Sequence, residues 1–399
     1  MPKILRIINR FNLGGPTFNA AYLSKYMPSE YETLLIGGLQ DDLEESSLRI
    51  IEDLDLSPYI IPRMFREVNL LNDLKSLNMI KQIIREFKPD IVHTHASKAG
   101  ALGRIAAYQL NVPIIVHTFH GHVFHSYFGP MVTGFYKSIE RYLARKSDAI
   151  IAISKKQKQE LVNEYKIASA DKVRIVQLGF ELNKFSQDMD IKRSNLRKKY
   201  HLEDDTVAIG IVGRLAPIKN HSMFVKAISF AKEQASQKIR GFIVGDGDER
   251  KKIEDLAKNL GLVIGLGDSN DEDITFTSWQ SEVDKINAGM DIIALTSKNE
   301  GTPVSLIEAQ ASNKPIVTTN VGGIEDIIQR DQTALLAESN DQEGFNKCLL
   351  MLIEDEDLRK EMGIKGWNFV KEKFHYNRLI GDFDKLYKEL LEKKNSRKN

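Results

Sequence analysis

The sequence predicts an α/β protein of two domains, each built on a doubly wound parallel sheet. Short apolar runs rich in β-branched residues alternate with amphipathic stretches along the chain. Runs that are apolar on both faces and separated by helical patterns are typical of buried strands in βαβ units. A chain of 399 residues also exceeds what one hydrophobic core usually supports, so two domains of roughly 150–200 residues are expected.

The candidate strands fall into two groups. The first group is Ile4–Asn9, Thr33–Gly37, Ile91–Thr94, Ile114–Thr118, Ala149–Ile153 and Val173–Val176. The second group is Val207–Gly213, Gly241–Gly245, Ile274–Thr277, Asp291–Thr296 and Pro315–Thr319. Between them lies the polar segment 184–205, which we interpret as a linker with a short helix in it. We expect an N-terminal domain over residues 1–185, a C-terminal domain over 186–374, and a helix at about 375–399 that packs back on the N-terminal domain.

Composition excludes several classes of protein. With 42% hydrophobic and 28% charged residues, the chain is an ordinary globular sequence rather than a disordered one. Cys348 is the only cysteine, so no internal disulfide can form, which suits a reducing cytoplasm. The first residues lack the apolar core of a signal peptide, and no apolar run approaches the ~20 residues of a membrane span. We expect a cytoplasmic protein that is soluble or at most lies on a membrane.

The first candidate site residues are two glycines. Ligands of open α/β sheets bind beyond the carboxyl ends of the strands, so the residues that follow each strand come first. Gly14 and Gly15 follow the first strand and precede a helical pattern over residues 17–23. A glycine pair there lets backbone N–H groups approach a phosphate at a helix N-terminus. The alternative is a plain strand-to-helix turn.

Two cations follow the first strand of the second group. The segment 213–220, GRLAPIKN, closes a strand and opens a helix for which Asn220 is a suitable N-cap. Arg214 supplies a planar fork, Lys219 a point charge, and the helix N-terminus a positive dipole. Together they predict a pocket for a diphosphate. Solvated surface charge is the alternative.

The sharpest signal is a pair of glutamates in the segment 300–308, EGTPVSLIE. This segment follows a predicted strand, and Pro303 is a suitable first helical residue. Glu300 is therefore expected in the loop and Glu308 about a turn and a half inside the helix. Carboxylates so placed can accept hydrogen bonds from the vicinal hydroxyls of a sugar and a ribose. The alternative is a helix that merely contains glutamate.

Two other patterns invite functions that we reject. Six of the nine histidines lie between residues 93 and 125, but no acidic ligand accompanies them, so we expect polar or acid–base groups rather than a metal site. Gly245 and Gly247 begin a dinucleotide-binding pattern, G-x-G-x-x-G. Arg250 occupies its third glycine position, and carboxylates crowd the loop. We therefore do not expect an oxidoreductase.

Taken together and in this order, these segments resemble the retaining glycosyltransferases of family 4, which have the GT-B fold of two Rossmann-like domains facing across a cleft. The likeness runs from residue 1 to about 375. It is carried by the Gly14-Gly15 loop, His120 in HTFHGH, GRLAPIKN, VGDGDER and the E-x7-E stretch that begins at Glu300. The segment HTHASKAGALGRIAAYQLNVPIIVHTFHGHVFH is similar to the branch that builds bacterial capsule, O-antigen and exopolysaccharide repeats.

The resemblance implies a role for each candidate residue. Glu308 should bind the nucleotide ribose and Glu300 the hydroxyls of the donor sugar. Arg214 and Lys219 should hold the diphosphate, and His120 should lie beside the donor sugar. Backbone N–H groups at Gly14 and Gly15 and around Gly301, Thr302, Pro303 and Val304 should assist the diphosphate. We count His120, Glu300, Arg214 and Lys219 as the catalytic group.

The resemblance also implies the reaction. A sugar would pass with retention from a nucleotide-diphosphate donor, most commonly UDP-linked, to a lipid-linked or polysaccharide acceptor, without a cofactor or metal and without nucleic acid. We favour front-face transfer, in which the leaving phosphate takes the acceptor proton. A nucleotide-sugar epimerase and a non-catalytic sugar-nucleotide-binding protein are the alternatives. Two residues depart from the family pattern: Gly121 replaces a common aspartate after the histidine, and Trp279 stands where a glycine often follows the strand.

The N-terminal domain is expected to touch an anionic membrane. The aromatic stretch 123–130 precedes a basic amphipathic pattern over 135–146, FYKSIERYLARK. Such a helix suits anionic headgroups or a lipid-linked diphosphate, which would place the protein peripherally on the inner face of the cell membrane. The alternative is a core-packed helix with a solvated basic face.

Overall fold

The computed structural model describes residues 1–11, 15–39, 48–65, 67–121 and 130–396. These residues form two compact units. The first unit comprises residues 1–180 together with 374–399, and the second comprises residues 181–373. Each unit contains one seven-stranded sheet in which every pair of neighbouring strands is parallel.

The sheet of the first unit has the strand order β3-β2-β1-β4-β5-β6-β7. Its strands are β1 Lys3–Arg10, β2 Glu32–Gly38, β3 Tyr59–Ile60, β4 Ile91–His95, β5 Ile114–Phe119, β6 Ala149–Ala152 and β7 Val173–Ile175. The connecting helices are α1 Gly15–Lys25, α2 Leu48–Asp53, α3 Leu70–Phe87, α4 Ser97–Gln109, α5 Pro130–Lys146 and α6 Lys155–Gln159. A π-helical turn, Glu160–Glu164, continues α6. The strand order reverses between β1 and β4, which makes this the topological switch point of the sheet.

The sheet of the second unit has the order β10-β11-β9-β8-β12-β13-β14, with its switch point between β8 and β12. Its strands are β8 Val207–Val212, β9 Ile239–Val244, β10 Ile264–Gly265, β11 Ile274–Ser278, β12 Ile292–Leu295, β13 Ile316–Asn320 and β14 Ala334–Glu338. Its helices are α7 Asn183–Ser186, α8 Met189–Lys199, α9 His221–Gln234, α10 Arg250–Asn259, α11 Val283–Gly289, α12 Val304–Ala311, α13 Gln342–Glu354 and α14 Glu356–Phe374. Two 3₁₀ turns, Pro217–Lys219 and Ile324–Asp326, complete it.

The last helix, α15 Tyr376–Asn395, belongs to the first unit. Its apolar stripe of Leu379, Phe383 and Tyr387 is buried against one face of the first sheet. Two backbone bonds tie its start to the end of the strand region, since the amide of Phe180 donates to the carbonyl of Phe374 and the amide of Tyr376 donates to that of Phe180. The first unit therefore has a core made from both ends of the chain.

The expected fold class, two doubly wound parallel sheets, is confirmed. The central strands are buried on both faces, as their continuous apolar runs predicted. The sequence interpretation missed the two-residue edge strands β3 and β10 and the edge strand β14. The short helix expected within residues 184–205 is present as α8, but the segment is not a linker, because α7 and α8 bury Phe185 and Leu196 in the second unit. Among the described helices, none is long and apolar enough to cross a membrane.

Candidate functional site

The candidate residues of the second unit lie at the carboxyl ends of β8 and β12, the two strands that flank its switch point. Lys219 ends the 3₁₀ turn that follows β8, and Glu300 lies in the loop that follows β12. The Nζ atom of Lys219 lies 2.6 Å from Oε1 of Glu300. The same Oε1 accepts a hydrogen bond of 2.6 Å from the Ser297 hydroxyl. One carboxylate oxygen thus holds both partners, and neither bond occupies Oε2.

The loop that carries Glu300 is fixed by close packing of backbone against backbone. Gly322 has φ +58°, and a Cβ atom there would lie 1.8 Å from the carbonyl oxygen of Glu300. The amide of Gly323 donates to that same carbonyl at 3.1 Å. On the other side, the Thr319 hydroxyl donates to the carbonyl of Ser297 at 2.6 Å. A larger residue at 322 would therefore displace the loop that presents Glu300.

The two glycine-containing loops after β8 and β9 cross at short distance. A Cβ atom on Gly245, whose φ is +135°, would lie 2.2 Å from the carbonyl oxygen of Gly213. The amide of Leu215 donates to the carbonyl of Asp246 at 3.0 Å. Arg250, the residue that breaks the dinucleotide pattern, pairs with Asp246 at 2.8 Å and with the Ser278 hydroxyl at 2.6 Å. The glycines of this segment therefore serve loop packing.

Arg214 lies next to this crossing and is exposed. Among the residues that the structure describes, no carboxylate pairs with its guanidinium in the way that Asp246 and Glu254 pair with Arg250. An exposed cation beside the switch point can turn towards an anion without first breaking a strong pair. Asn220 occupies the N-cap position of α9, as predicted, but its backbone is in the left-handed conformation and its side chain makes no capping hydrogen bond.

Glu308 lies on α12, and the pKa of its carboxyl is raised to about 7. Burial is the main cause; the charge of Lys184 acts against the rise, and that of Asp284 adds to it. The helix begins at Val304, so the prediction that Pro303 is the first helical residue was wrong: Pro303 is the N-cap, with ψ 105°. Proline offers no side-chain acceptor, so the first N–H groups of α12 lack a cap from this residue. Such a helix start suits an anion.

The loop residues between Glu300 and α12 differ in exposure. Gly301 is exposed, Thr302 is half-buried and Pro303 is buried. A Cβ atom on Gly301 would meet no other atom within 4 Å. The loop therefore has open space on the side of Gly301, where a ligand could approach the backbone.

The candidate residues of the first unit that the structure describes, Gly15 and His120, follow β1 and β5. Gly15 is the first residue of α1, and Gly14 lies outside the described residues. His120 directly follows β5, and its Nε2 lies 2.9 Å from Nδ1 of His95, the last residue of β4. Gly121 is exposed and provides no partner side chain. The side chain that pairs with His120 is thus the imidazole of His95, and not a carboxylate at position 121.

The buried histidines are neutral at physiological pH. Burial lowers the pKa of His120 to about 3. Burial also lowers the pKa values of His93, His95 and His117 well below the usual range, and the buried cation Arg6 adds to the effect on the first two. Neutral imidazoles can donate and accept hydrogen bonds but cannot supply a proton readily. His120 is therefore suited to orient a substrate rather than to act as an acid.

No metal site is formed by the residues that the structure describes: none of their histidine, cysteine or acidic groups cluster in a way that could hold an ion. His122 and His125 lie outside those residues. Two of the described histidines, His93 and His117, are instead paired with hydroxyls. His93 contacts Tyr387 Oη at 2.7 Å and Thr118 Oγ1 at 2.8 Å.

The helix predicted to meet a membrane, α5, has one buried and one exposed side. Residues 123–129 lie outside the described part of the chain. On α5, Leu143 is buried, whereas Phe135 and Tyr142 are 64% and 49% exposed. Arg141 is held by the carbonyl of Tyr165 at 2.7 Å, so it is not free to bind a headgroup. The helix therefore combines a core-packed side with an exposed aromatic one.

The sequence interpretation missed two residues. Lys184 was assigned to a linker, but α7 places it where its charge acts on Glu308. His95 was noted only as part of a histidine cluster. The signal that could have found it is its place at the end of β4, next to the end of β5, because neighbouring parallel strands bring their carboxyl ends together.

Comparison with known proteins gives consistent matches over both units. A family model described as "Glycosyltransferase Family 4" matches residues 14–184, and one described as "Glycosyl transferases group 1" matches residues 192–368. The chain is 29% identical over 343 residues to the UDP-Gal:alpha-D-GlcNAc-diphosphoundecaprenol alpha-1,3-galactosyltransferase of Escherichia coli, covering 84% of each chain. It is 27% identical to the capsular polysaccharide biosynthesis glycosyltransferase CapM of Staphylococcus aureus, covering 84% of this chain and 85% of CapM.

Among solved structures, Anabaena HepE in complex with UDP superposes with a TM-score of 0.80. The match covers 97% of this chain and 100% of HepE at 18% sequence identity. At that identity the likeness establishes the fold alone.

Proposed function

This chain belongs to the family 4 glycosyltransferases and has their GT-B fold, and we propose that it transfers a sugar with retention from a UDP-sugar to a lipid-linked or polysaccharide acceptor in the synthesis of a bacterial surface polysaccharide. The donor proposal is supported by the UDP-sugar named for the Escherichia coli relative and by the UDP complex of HepE. The acceptor proposal is supported by the lipid diphosphate and the capsule named for the two relatives.

The observation that carries the proposal is the pairing of Lys219 with Glu300 beside the uncapped start of α12. At this switch point a cation and a helix N-terminus can bind the phosphates of a sugar diphosphate, and a carboxylate can accept hydrogen bonds from its sugar hydroxyls. We assign the diphosphate to Arg214, Lys219 and the backbone N–H groups of Gly301, Thr302 and Val304, since Pro303 between them has no N–H. The ribose is assigned to Glu308, and the free Oε2 of Glu300 to a sugar hydroxyl.

We also propose roles for two groups of the first unit. The backbone N–H of Gly15, the first residue of α1, would donate to a phosphate oxygen, and Gly14, which lies outside the described residues, is assigned with it. His120 would offer a neutral imidazole to the donor sugar, which agrees with the burial that lowers its pKa to about 3. With so low a pKa the imidazole is a poor base at neutral pH, which leaves the leaving phosphate as the proton acceptor.

The proposed chemistry is stabilisation of the leaving group. The bond between the anomeric carbon and the phosphate oxygen breaks, and negative charge grows on the diphosphate. We assign the stabilisation of that charge to Arg214 and Lys219, so the proposed reaction uses no metal ion. The acceptor oxygen then bonds to the anomeric carbon on the same face, while its proton passes to the leaving phosphate oxygen.

We further propose that the protein is cytoplasmic and meets the inner face of the membrane through α5. Phe135 and Tyr142 supply exposed aromatic area, and Arg145 is an exposed cation. Each such cation near an anionic surface contributes only ~1 kcal/mol, so binding should be reversible and weakened by salt. Phe135→Ser combined with Arg145→Glu should reduce co-sedimentation with anionic liposomes, and Lys251→Glu in the second unit should not. Equal pelleting of all three proteins would refute this contact.

The activity is tested by incubating the protein with a panel of UDP-sugars and polyprenyl-diphosphate-linked or oligosaccharide acceptors. Transfer should give a product whose new linkage keeps the anomeric configuration of the donor, which NMR of the product determines. An epimerised donor without acceptor product would indicate an epimerase. Donor binding without any product over the whole panel would indicate a binding protein, and an inverted linkage would contradict the retaining mechanism.

A further inference from the structure

We propose that His95 is a positioning residue that holds His120 in one tautomer, with its proton on Nδ1 and directed towards the donor substrate. The inference rests on the proposed function, because it takes His120 to lie beside the donor sugar. It adds a residue that no pattern in the sequence had assigned to the reaction. The pairing itself is direct, since Nδ1 of His95 and Nε2 of His120 are 2.9 Å apart.

The backbone explains why the two rings meet. β4 and β5 are neighbouring parallel strands, and His95 pairs in register with Thr118, two residues before His120. His95 is fully buried and His120 is half-buried. The two ring centroids are 5.2 Å apart with an interplanar angle of 29°. His95 thus has no surface of its own to offer a substrate, and any effect that it has on the reaction passes through His120.

A buried cation determines which ring donates. His95 Nε2 and His120 Nδ1 are buried and have no hydrogen-bond partner among the described residues. Either direction of the bond between the two rings leaves one of these nitrogens as an N–H without a partner, so hydrogen-bond counting does not choose between them. Arg6 is a fully buried cation on β1 that pairs in register with His93 of β4, and its charge acts on His95. A positive charge beside His95 favours a lone pair over an N–H on its Nε2, so His95 donates from Nδ1 to His120 Nε2.

This assignment decides what His120 can do. With Nε2 accepting from His95, the proton of His120 resides on Nδ1, so Nδ1 is a hydrogen-bond donor. A donor of this kind can bind a sugar oxygen or a phosphate oxygen. A carboxylate in place of His95 would accept instead, which would move the proton of His120 to Nε2 and leave Nδ1 as an acceptor. The group that pairs with Nε2 of His120 therefore determines whether its Nδ1 donates or accepts a hydrogen bond.

The tautomer can be measured without any activity. In protein labelled with ¹⁵N-histidine, long-range ¹H–¹⁵N spectra distinguish a protonated ring nitrogen from a bare one, and the signals of His120 are identified by their loss in His120→Gln. Wild type should show a protonated Nδ1 and a bare Nε2. His95→Phe should produce a mixture of tautomers, whereas His95→Asn, whose amide can donate from a similar position, should keep the wild-type pattern. His117→Phe is the matched control, because His117 is equally buried and bonds Thr94.

Kinetics supply the second readout. His95→Phe should lower kcat about tenfold or more, with a smaller change in donor KM, since the loss of an orienting group mainly affects the transition state. His95→Asn should restore most of kcat, and thermal unfolding should show that all variants are folded. An unchanged tautomer of His120 in His95→Phe, or a protonated Nε2 in wild type, would overturn the inference while leaving the proposed function intact. Absence of transfer by wild type would instead refute the proposed function, and the spectra would still report on the pair.

Discussion

Binding of the donor is expected to remove a proton from Glu308. Burial raises the pKa of this carboxyl to about 7 in the unliganded protein. At pH 6 about nine-tenths of the molecules therefore carry a neutral Glu308, and at pH 8 about one-tenth do. A carboxylate that accepts hydrogen bonds from ribose hydroxyls is favoured in its charged form, which returns its pKa towards the usual range. The neutral form thus competes with the donor.

The magnitude follows from that pKa. The affinity for a nucleotide-diphosphate sugar should fall about tenfold, or ~1.4 kcal/mol, between pH 8 and pH 6, because only the ionised fraction of Glu308 binds well. At pH 6 each binding event should release about 0.9 of a proton. Lys184 and Asp284, the charged groups that act on Glu308 from α7 and α11, oppose each other and do not change the sign.

Titration calorimetry in buffers of different ionisation enthalpy measures both quantities. The intact nucleotide sugar is the ligand of choice, because its diphosphate diester does not titrate in this range whereas a free nucleotide diphosphate does. Glu308→Gln should bind more weakly than wild type at pH 8 and should show no change in affinity between pH 6 and pH 8. A wild-type affinity that is constant over this range, or equal proton release from the glutamine variant, would refute the assignment of the ribose to this carboxylate.

The remaining predictions concern the same site. Arg214→Ala and Lys219→Ala should each slow transfer by about a hundredfold or more, because each removes charge stabilisation that grows in the transition state. Steady-state kinetics measure this effect, and full activity in both variants would exclude the loop as the diphosphate site. Glu308→Ala should weaken free UDP and UDP-sugar alike, whereas Glu300→Ala should weaken only the intact donor, a difference that calorimetry measures and that equal losses of UDP affinity would contradict. Activity should survive excess EDTA, and bound zinc with activity lost on chelation would favour a metal site at the histidines. In the unliganded protein the pKa of Glu308 is higher than in the unfolded chain, so the folded state loses stability as the pH rises from the ordinary glutamate pKa to about 7. Glu308→Gln removes this loss and should therefore raise Tm at pH 8 but not at pH 5, which thermal unfolding at the two pH values measures.

Strand patterns were the most reliable part of the sequence. Runs such as Ile114–Thr118 are β-branched and apolar on both faces, and the structure buries them at the centre of a sheet. The edge strand β14, Ala334–Glu338, was missed because its sequence ALLAE favours a helix by propensity. It is a strand only because it pairs in register with β13 over its whole length. Tertiary pairing of this kind cannot be read from a local pattern.

The site was predictable in its residue types but not in its pairings. The positions of Lys219 and Glu300 after their strands followed from the alternation of elements, since parallel strands bring their carboxyl ends to one edge. Their ion pair, 81 residues apart in sequence, depends on which strands are neighbours. The hydrogen bond between His95 and His120 likewise depends on β4 and β5 being neighbouring strands. The pKa of Glu308 depends on burial, which the polar appearance of a glutamate in the sequence did not suggest.

The first unit is made from both ends of the chain, and this has a consequence for synthesis on the ribosome. Residues 1–180 emerge first, but the sheet face that α15 covers stays open until residue 395 has been translated. The second unit, residues 181–373, is complete in sequence before that helix exists. During elongation the first unit therefore exposes the apolar surface that later contacts Leu379, Phe383 and Tyr387. A nonsense mutation within the codons of α15 would leave the second unit whole and would damage the first.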